Sequence, residues 1–150
     1  MTDFEEPVYA VTAASPKVYQ PNMIRVATFI GGPLVAGYMI AENFKAFNAY
    51  DKAKKTWLYT IVFTIALFGL AAAIPASVNI PRIVFPVIYA WSAYGLVNQY
   101  QGKMIAAHIN NNGEAFNWGR SIVIGLIGMV VLLVLIAVPL FLYYSMYSGV

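Results

Sequence analysis

The distribution of charge constrains this chain more than any other feature, because four long stretches contain no charged residue. These stretches are residues 26–41, 56–81, 83–102 and 121–150. A helix rises 1.5 Å per residue, so roughly 20 apolar residues cross the hydrocarbon core of a bilayer, which is about 30 Å thick. We therefore predict four transmembrane helices, near residues 24–41, 57–75, 83–101 and 121–147.

The overall composition favours a membrane protein over a soluble one. Of the 150 residues, 61% are apolar and only 10% are charged, whereas a soluble domain carries about 25% charged residues. So few charges could not cover a globule that buries four such helices. The uncharged stretches also lack the alternation of apolar and polar residues that is typical of transmembrane strands. The predicted fold is an all-α integral membrane bundle of two antiparallel hairpins.

The first 22 residues are predicted to be an extended tail that precedes a transmembrane domain over residues 23–150. Pro7, Pro16 and Pro21 disfavour a long helix there. The tail lies on the membrane or on a partner, or it is a loosely ordered terminus. Its start is acidic, so no cleavable signal peptide is predicted, and the first apolar stretch is expected to remain as an anchor.

The positions of the basic residues predict an orientation. Loops 42–56 and 102–120 hold six Lys and Arg residues on one face of a four-helix bundle, and the other face holds Lys17, Arg25 and Arg82. The positive-inside rule then places both loops in the cytoplasm and both termini outside. Lys52, Lys54 and Lys55 are either a topology signal or a grip on anionic lipid headgroups, worth about 1 kcal/mol each.

The first predicted span contains an unusual set of small residues, namely Gly31, Gly32, Pro33 and Gly37. Glycine lets another helix approach closely and proline kinks a membrane helix, so this set predicts a bent span with a close helix contact. The alternative is a hinge or a break that faces a substrate, as in transporters with interrupted helices.

The third predicted span is the least apolar, since Tyr89, Ser92 and Tyr94 place hydroxyl groups at membrane depth. Buried tyrosines normally find hydrogen-bond partners. These three side chains either bond to neighbouring helices or line a binding face for a quinone, a lipid or a small aromatic. Beyond this span, a helical extension is predicted to end at Asn112–Gly113, because Asn and Gly adopt the left-handed conformation that ends helices.

The sequence lacks the residues that several classes of function require. There is no cysteine and only one histidine, His108, so neither an iron–sulfur cluster nor bis-histidine haem ligation fits one chain, and no cofactor or metal is predicted. No charge lies in the middle of a span, which disfavours proton-coupled transport. No Arg-rich patch suggests nucleic-acid binding. A catalytic base could come only from Glu42, Asp51, Glu114 or His108, so we expect that the protein is not an enzyme. An enzyme that acts on lipids, using Glu42, His108 and Glu114, is the least favoured alternative.

The segment FIGGPLVAGYMIAENFK, from Phe29 to Lys45, resembles a family of small bacterial multi-pass membrane proteins with Phe-x-Gly-Gly-Pro-Leu in the first span. With a looser echo in residues 101–114, the resemblance covers about a fifth of the chain. It implies a location in the bacterial inner membrane. That family has no assigned activity, so the resemblance implies no catalytic residue.

Together these observations favour a non-catalytic accessory or scaffolding subunit. Its expected partners are membrane lipids and either another membrane protein or further copies of this chain, held through helix packing. The alternative is a channel or a carrier for a lipid or a small apolar solute, lined by the third-span hydroxyls and the break at Pro33.

Overall fold

The computed structural model describes residues 15–75, 77–81 and 83–147, and this part of the chain is helical without strands. The helices are α1 (Pro21–Gly31), α2 (Pro33–Ala46), α3 (Tyr50–Ala73), α4 (Val84–Tyr100), α5 (Gly102–Asn110) and α6 (Trp118–Tyr147). The predicted all-α class is confirmed. Residues 1–14, which make up most of the predicted tail, lie outside the described residues, as does Arg82.

The first predicted span is not one helix but a hairpin of two, and the prediction over residues 24–41 is wrong. Gly32 separates α1 from α2 with a φ of 82°, in the left-handed region that favours glycine. Pro33 then opens α2, where its missing N–H costs nothing. The chain reverses here, since Tyr19 before α1 is hydrogen-bonded to Asn43 near the end of α2. With 11 and 14 residues, about 16 and 21 Å, neither helix could cross a bilayer.

Two helices, and not four, have the length and the composition of a membrane span. They are α3, with 24 residues, and α6, with 30 residues. The third predicted span corresponds to α4, which has 17 residues and is about 25 Å long. It ends at Tyr100, and α5 follows after Gln101.

The hairpin is the centre of the packing. One of its helices, α1, packs against α6 and α4, while the other, α2, packs against α3. The three longer helices make no extensive contact with one another. The buried side chains at the centre include Ile24, Met39 and Val97. The fold therefore depends on two short helices that the longer ones surround.

The hairpin also decides which segments share an end of the bundle. Val18 pairs with Ala115 in a single parallel bridge, with its N–H donated to the Glu114 carbonyl at 3.1 Å and its own carbonyl accepting from Phe116 N–H at 2.9 Å. Residues 15–20 therefore lie at the same end as the α2–α3 connection and the α5–α6 loop. We call this the loop end.

The predicted orientation placed the N-terminal tail and loop 102–120 on opposite faces, and for residues 17–20 this is wrong. A hairpin returns the chain to the end it entered, whereas a single span would not. The stop predicted at Asn112 is confirmed, since α5 ends at Asn110 and Asn112 has a φ of 60°.

Candidate functional site

A long groove separates α3 from α4, with α2 as its floor. Its volume is about 720 Å³, within the range of about 300–1,000 Å³ that is usual for small-molecule sites. The groove exists because α3 and α4 both pack against α2 and leave a gap between them. Its lining comprises Pro33, Ala36, Gly37, Ile40 and Phe44 of α2, Lys52, Lys55, Thr56, Tyr59, Thr60 and Phe63 of α3, and Tyr89, Ser92, Ala93, Leu96, Tyr100 and Gln101 in and after α4.

Two lysines stand at the loop end of this groove. Lys52 and Lys55 are three residues apart on α3 and so share a helix face. The Lys52 ammonium lies 5.9 Å from the centroid of the Phe44 ring. Neither lysine forms an ion pair within the described part of the chain. Lys54, predicted as a third headgroup ligand, does not line the groove, because the helical rotation directs it to another side of α3.

The deep end of the groove is apolar apart from isolated hydroxyl groups. Tyr89 and Ser92 line it, as the sequence suggested, together with Thr60 from the opposite wall. From Lys52 to Phe63 the groove follows α3 for about 16 Å, which is about half the thickness of a bilayer core. The arrangement offers a cationic entrance and an apolar interior of one leaflet's depth.

Tyr94 is not brought to the groove. It lies on another side of α4, with its ring 5.9 Å from the Trp91 ring and 5.0 Å from the Arg25 guanidinium carbon. Residues 89, 92 and 96 recur at helical spacing on one face of α4, and position 94 falls outside that series. The sequence could not distinguish these faces, because every side of this span carries aromatic residues.

The glycines of the first span are used for contacts within the chain. A Cβ at Gly31 would collide with the Gly125 backbone and with Val35, one at Gly32 would collide with Leu132, and one at Gly37 would collide with Thr60. Gly31, Gly32 and Gly37 therefore lie in close contacts with α2, α6 and α3. Pro33 begins α2 and lines the groove. The three glycines are not free to hold another protein.

A buried polar network lies beside the groove at the loop end, and sequence reasoning missed it. Asn43 accepts a hydrogen bond from Tyr19 N–H at 2.7 Å, and its amide nitrogen donates to the Tyr19 carbonyl at 2.8 Å and to Gln101 Oε1 at 3.2 Å. Gln101 donates in turn to the Ile40 carbonyl at 2.8 Å. The network ties residue 19 and the end of α4 to α2. Its sequence signal was weak, since Asn43 stands in a polar run predicted to be a loop.

Tyr19 joins the same region to α6. Its hydroxyl accepts a hydrogen bond from Arg120 Nε at 2.9 Å, and its ring stacks on Phe116 with the centroids 4.3 Å apart. The Arg120 guanidinium lies 4.2 Å from the centre of that Phe116 ring. Burial raises the pKa of Tyr19 above its ordinary value, and the hydrogen bond from Arg120 opposes that shift. The Tyr19 side chain is therefore held as the neutral phenol.

Two of the three carboxylates considered for catalysis, Glu42 and Glu114, form ion pairs with lysines, and Asp51 lies in the first turn of α3. Glu42 lies 2.7 Å from Lys45, and Glu114 lies 2.7 Å from Lys17. His108 packs edge-on against Phe47, with the ring centroids 6.0 Å apart. Within the described ranges, no three metal-ligating side chains form a cluster. Nothing in this geometry pairs a base with a nucleophile.

The ion pair at Glu114 predicts a small acid sensitivity. The Lys17 ammonium beside Glu114 holds the pKa of that carboxyl below its ordinary value of 4.5, through a hydrogen bond and through charge attraction. A lowered folded pKa gives a contribution to stability that is complete above the unfolded pKa and is lost as the pH falls through the folded pKa. Both side chains are exposed, so the effect is small and salt weakens it.

Thermal unfolding at low salt from pH 7 to pH 3 measures this effect. The difference between the wild type and Glu114→Gln is expected to shrink as the pH falls and to disappear at the acidic end. A difference that stays constant over this range would contradict the assignment.

No protein family, curated protein or solved structure matches this chain. The groove combines a cationic end with a largely apolar interior, a chemistry that suits an elongated, largely apolar molecule with a negatively charged end.

Proposed function

We propose that this chain is a non-catalytic membrane protein that binds a lipid-like amphiphile with an anionic head in the groove between α3 and α4. The observation that carries the proposal is the order of polarity along the groove. Two lysines that form no ion pair with any described residue stand at the loop end, and apolar walls continue inward for about one leaflet. A headgroup at Lys52 and Lys55 would place its acyl chain against Phe63 and Tyr89.

The exposure of the longer helices supports placement in a bilayer. None of the most apolar window of α3 is buried within the protein, and only 11% of that of α6 is buried. A core helix of a soluble protein would be buried, whereas lipid covers such a surface at no cost. In this proposal α3, α4 and α6 cross the membrane, and the α1–α2 hairpin enters from the loop end and returns to it.

The basic residues support a cytoplasmic loop end. With the hairpin returning to this end, the cations there are Lys17, Lys45, Lys52, Lys54, Lys55, Lys103 and Arg120. In the sequence, Arg82 is the only basic residue between α3 and α4. The positive-inside rule then places the loop end in the cytoplasm. The resemblance of Phe29–Lys45 to small bacterial membrane proteins supports the inner membrane as the location.

Lipid binding to the purified protein tests the groove. In nanodiscs or detergent, Lys52→Gln with Lys55→Gln is expected to weaken binding of an anionic phospholipid about 30-fold, since each lysine near a headgroup contributes about 1 kcal/mol. Native mass spectrometry with phosphatidylglycerol as the probe gives the occupancy directly. Lys54→Gln is the matched control, because it removes one charge from the same helix outside the groove.

Binding of the acyl chain in the apolar part of the groove needs a separate test. Ser92→Phe fills the groove and is expected to reduce occupancy, whereas Gly95→Phe adds a ring to the same helix at a position where no atom lies within 4 Å of an added Cβ. The proposal would be refuted if the wild type, the double lysine variant and Ser92→Phe all showed the same lipid occupancy. A loss that Lys54→Gln reproduces would show a general effect of charge and would refute it as well.

A second candidate is the accessory subunit expected from the sequence, and one observation favours it. On α3, beyond the hairpin, Ala66, Gly69 and Ala73 are exposed, and nothing lies within 4 Å of a Cβ placed at Gly69. Small residues on an exposed membrane helix permit close packing with a partner helix. Purification from native membranes in mild detergent, followed by mass spectrometry, would support this candidate if a membrane protein accompanied the chain at a fixed ratio. The absence of such a companion protein would argue against this candidate.

A further inference from the structure

A second site lies on the opposite side of α4 from the groove, where α4 meets α1. Arg25, on the second turn of α1, places its guanidinium carbon 4.8 Å from the centroid of the Trp91 ring and 5.0 Å from that of Tyr94. Two aromatic faces therefore fix the position of this cation. Trp91 is 57% exposed, so the cluster opens to the surroundings of the bundle.

Arg25 has no anionic partner within the part of the chain that the structure describes. The carboxylates there are Glu42, Asp51 and Glu114. Glu42 and Glu114 are paired with lysines, and Asp51 lies in the first turn of α3, which does not pack against α1. A guanidinium that is stacked on two rings but unpaired retains its hydrogen-bond donors for an external anion.

A crevice lined by both polar and apolar residues continues from this cluster towards the loop end. Its volume is about 350 Å³, and its lining includes Gln20, Asn22, Tyr94 and Asn98. Asn22 is three residues from Arg25 on α1, and Asn98 is four residues from Tyr94 on α4, so both amides lie on the faces that carry the cation and the ring. The side-chain amides of Asn22 and Asn98 form no hydrogen bond with other described residues. They are free to donate and to accept.

We propose that this crevice binds the headgroup of a membrane phospholipid, with the phosphodiester on Arg25 and the alcohol end on the amides of Asn22 and Asn98. A planar guanidinium suits the bidentate recognition of phosphate. Amides select a headgroup with hydroxyl or ammonium donors, such as glycerol or ethanolamine. A choline headgroup lacks such donors. The proposal does not depend on the groove, which lies across α4 and uses other residues.

Native mass spectrometry of the full chain in detergent, with defined phospholipids added, tests the site. The wild type is expected to bind phosphatidylethanolamine or phosphatidylglycerol about tenfold or more tightly than phosphatidylcholine. Arg25→Gln is expected to weaken binding of all three lipids about tenfold or more, because Arg25 contacts the phosphodiester that they share. Lys103→Gln removes a charge at the same end outside the crevice and is expected to change nothing.

A second variant separates binding from folding, since Arg25 also helps α1 to pack on α4. Asn98→Ala leaves the aromatic stack intact and is expected to reduce the preference for ethanolamine and glycerol headgroups several-fold without lowering the midpoint of thermal unfolding. Unchanged binding of all three lipids by Arg25→Gln, or an unchanged headgroup preference in Asn98→Ala, would overturn the proposal. So would displacement of the lipid by millimolar inorganic phosphate, which would identify a site for free phosphate.

The groove and the crevice are distinguishable in the same experiment. The double variant with Lys52→Gln and Lys55→Gln is expected to retain the preference for phosphatidylethanolamine over phosphatidylcholine, since neither headgroup carries a net charge. If that preference is lost with the two lysines, the crevice is not a separate site and the proposal fails.

Discussion

Asn43→Ala is expected to be among the most destabilising single substitutions in this chain. It removes three buried hydrogen bonds and leaves the N–H and the carbonyl of Tyr19 without partners in a region that excludes water. Each buried polar group without a partner costs about 1–3 kcal/mol. We therefore expect a loss of about 3 kcal/mol or more and the release of residues 17–20 from the bundle.

The measurement combines thermal unfolding in detergent with hydrogen–deuterium exchange of residues 17–20. Asn110→Ala is the control, because Asn110 is an exposed asparagine at the end of α5 at the same end of the bundle. Asn43→Asp sharpens the test: a carboxylate still accepts from Tyr19 N–H but repels the Tyr19 carbonyl and Gln101 Oε1. Unfolding midpoints for Asn43→Ala and Asn43→Asp no lower than that of Asn110→Ala would show that the network does not hold the fold.

The sequence predicted the helices that are long and uniformly apolar, and it failed where an apolar stretch reverses direction. The uncharged stretch after Arg120 predicted one long helix over residues 121–147, and α6 covers that range. Residues 26–41 are equally free of charge, but hydropathy reports composition and not the direction of the chain. Gly32 and Pro33 suggested a bend. The complete reversal of the chain depends on Asn43 and Tyr19, which form two hydrogen bonds across the open end of the hairpin.

The same reversal explains the error in orientation. With four spans, Lys17 would lie opposite the basic loops, and the asymmetry of charge between the faces would be modest. With the hairpin returning to the loop end, Lys17 pairs with Glu114 and the asymmetry becomes larger. The orientation was predicted from four crossings, and that number was wrong.

The candidate groove could be predicted only in pieces. Lys52 and Lys55 were predicted, with Lys54, to be either a topology signal or headgroup ligands. Tyr89 and Ser92 were predicted, from a separate pattern, either to bond to neighbouring helices or to line a binding face. Nothing in those patterns indicated that they face one cavity. These residues face one cavity because α3 and α4 both pack against α2. Gly37 of α2 leaves room for the Thr60 side chain of α3. The periodicity of apolar residues within one helix carries no information about how two helices are placed relative to each other.

A methyl group at Gly31 is expected to separate the hairpin from α6, and this is the second large effect. A Cβ there would collide with the Gly125 carbonyl oxygen and would lie 2.6 Å from Val35 Cγ2. Val35 can rotate, but the Gly125 carbonyl belongs to the backbone of α6 and cannot move without displacing that helix. Overpacking of this kind costs about 1–3 kcal/mol, and we expect Gly31→Ala to lie at the upper end of that range.

Gly69→Ala provides the matched control, since it adds the same methyl group to α3 where no atom lies within 4 Å. It is expected to leave the unfolding midpoint unchanged or slightly higher, because alanine favours the helix over glycine. The pair also separates two roles for small residues in this chain. If Gly31→Ala lowers the midpoint of the purified monomer, its contact is internal, as the close approach to Gly125 requires. If instead the monomer keeps its stability and only an assembly with another protein is lost, the packing of α1 on α6 derived from these contacts is incorrect.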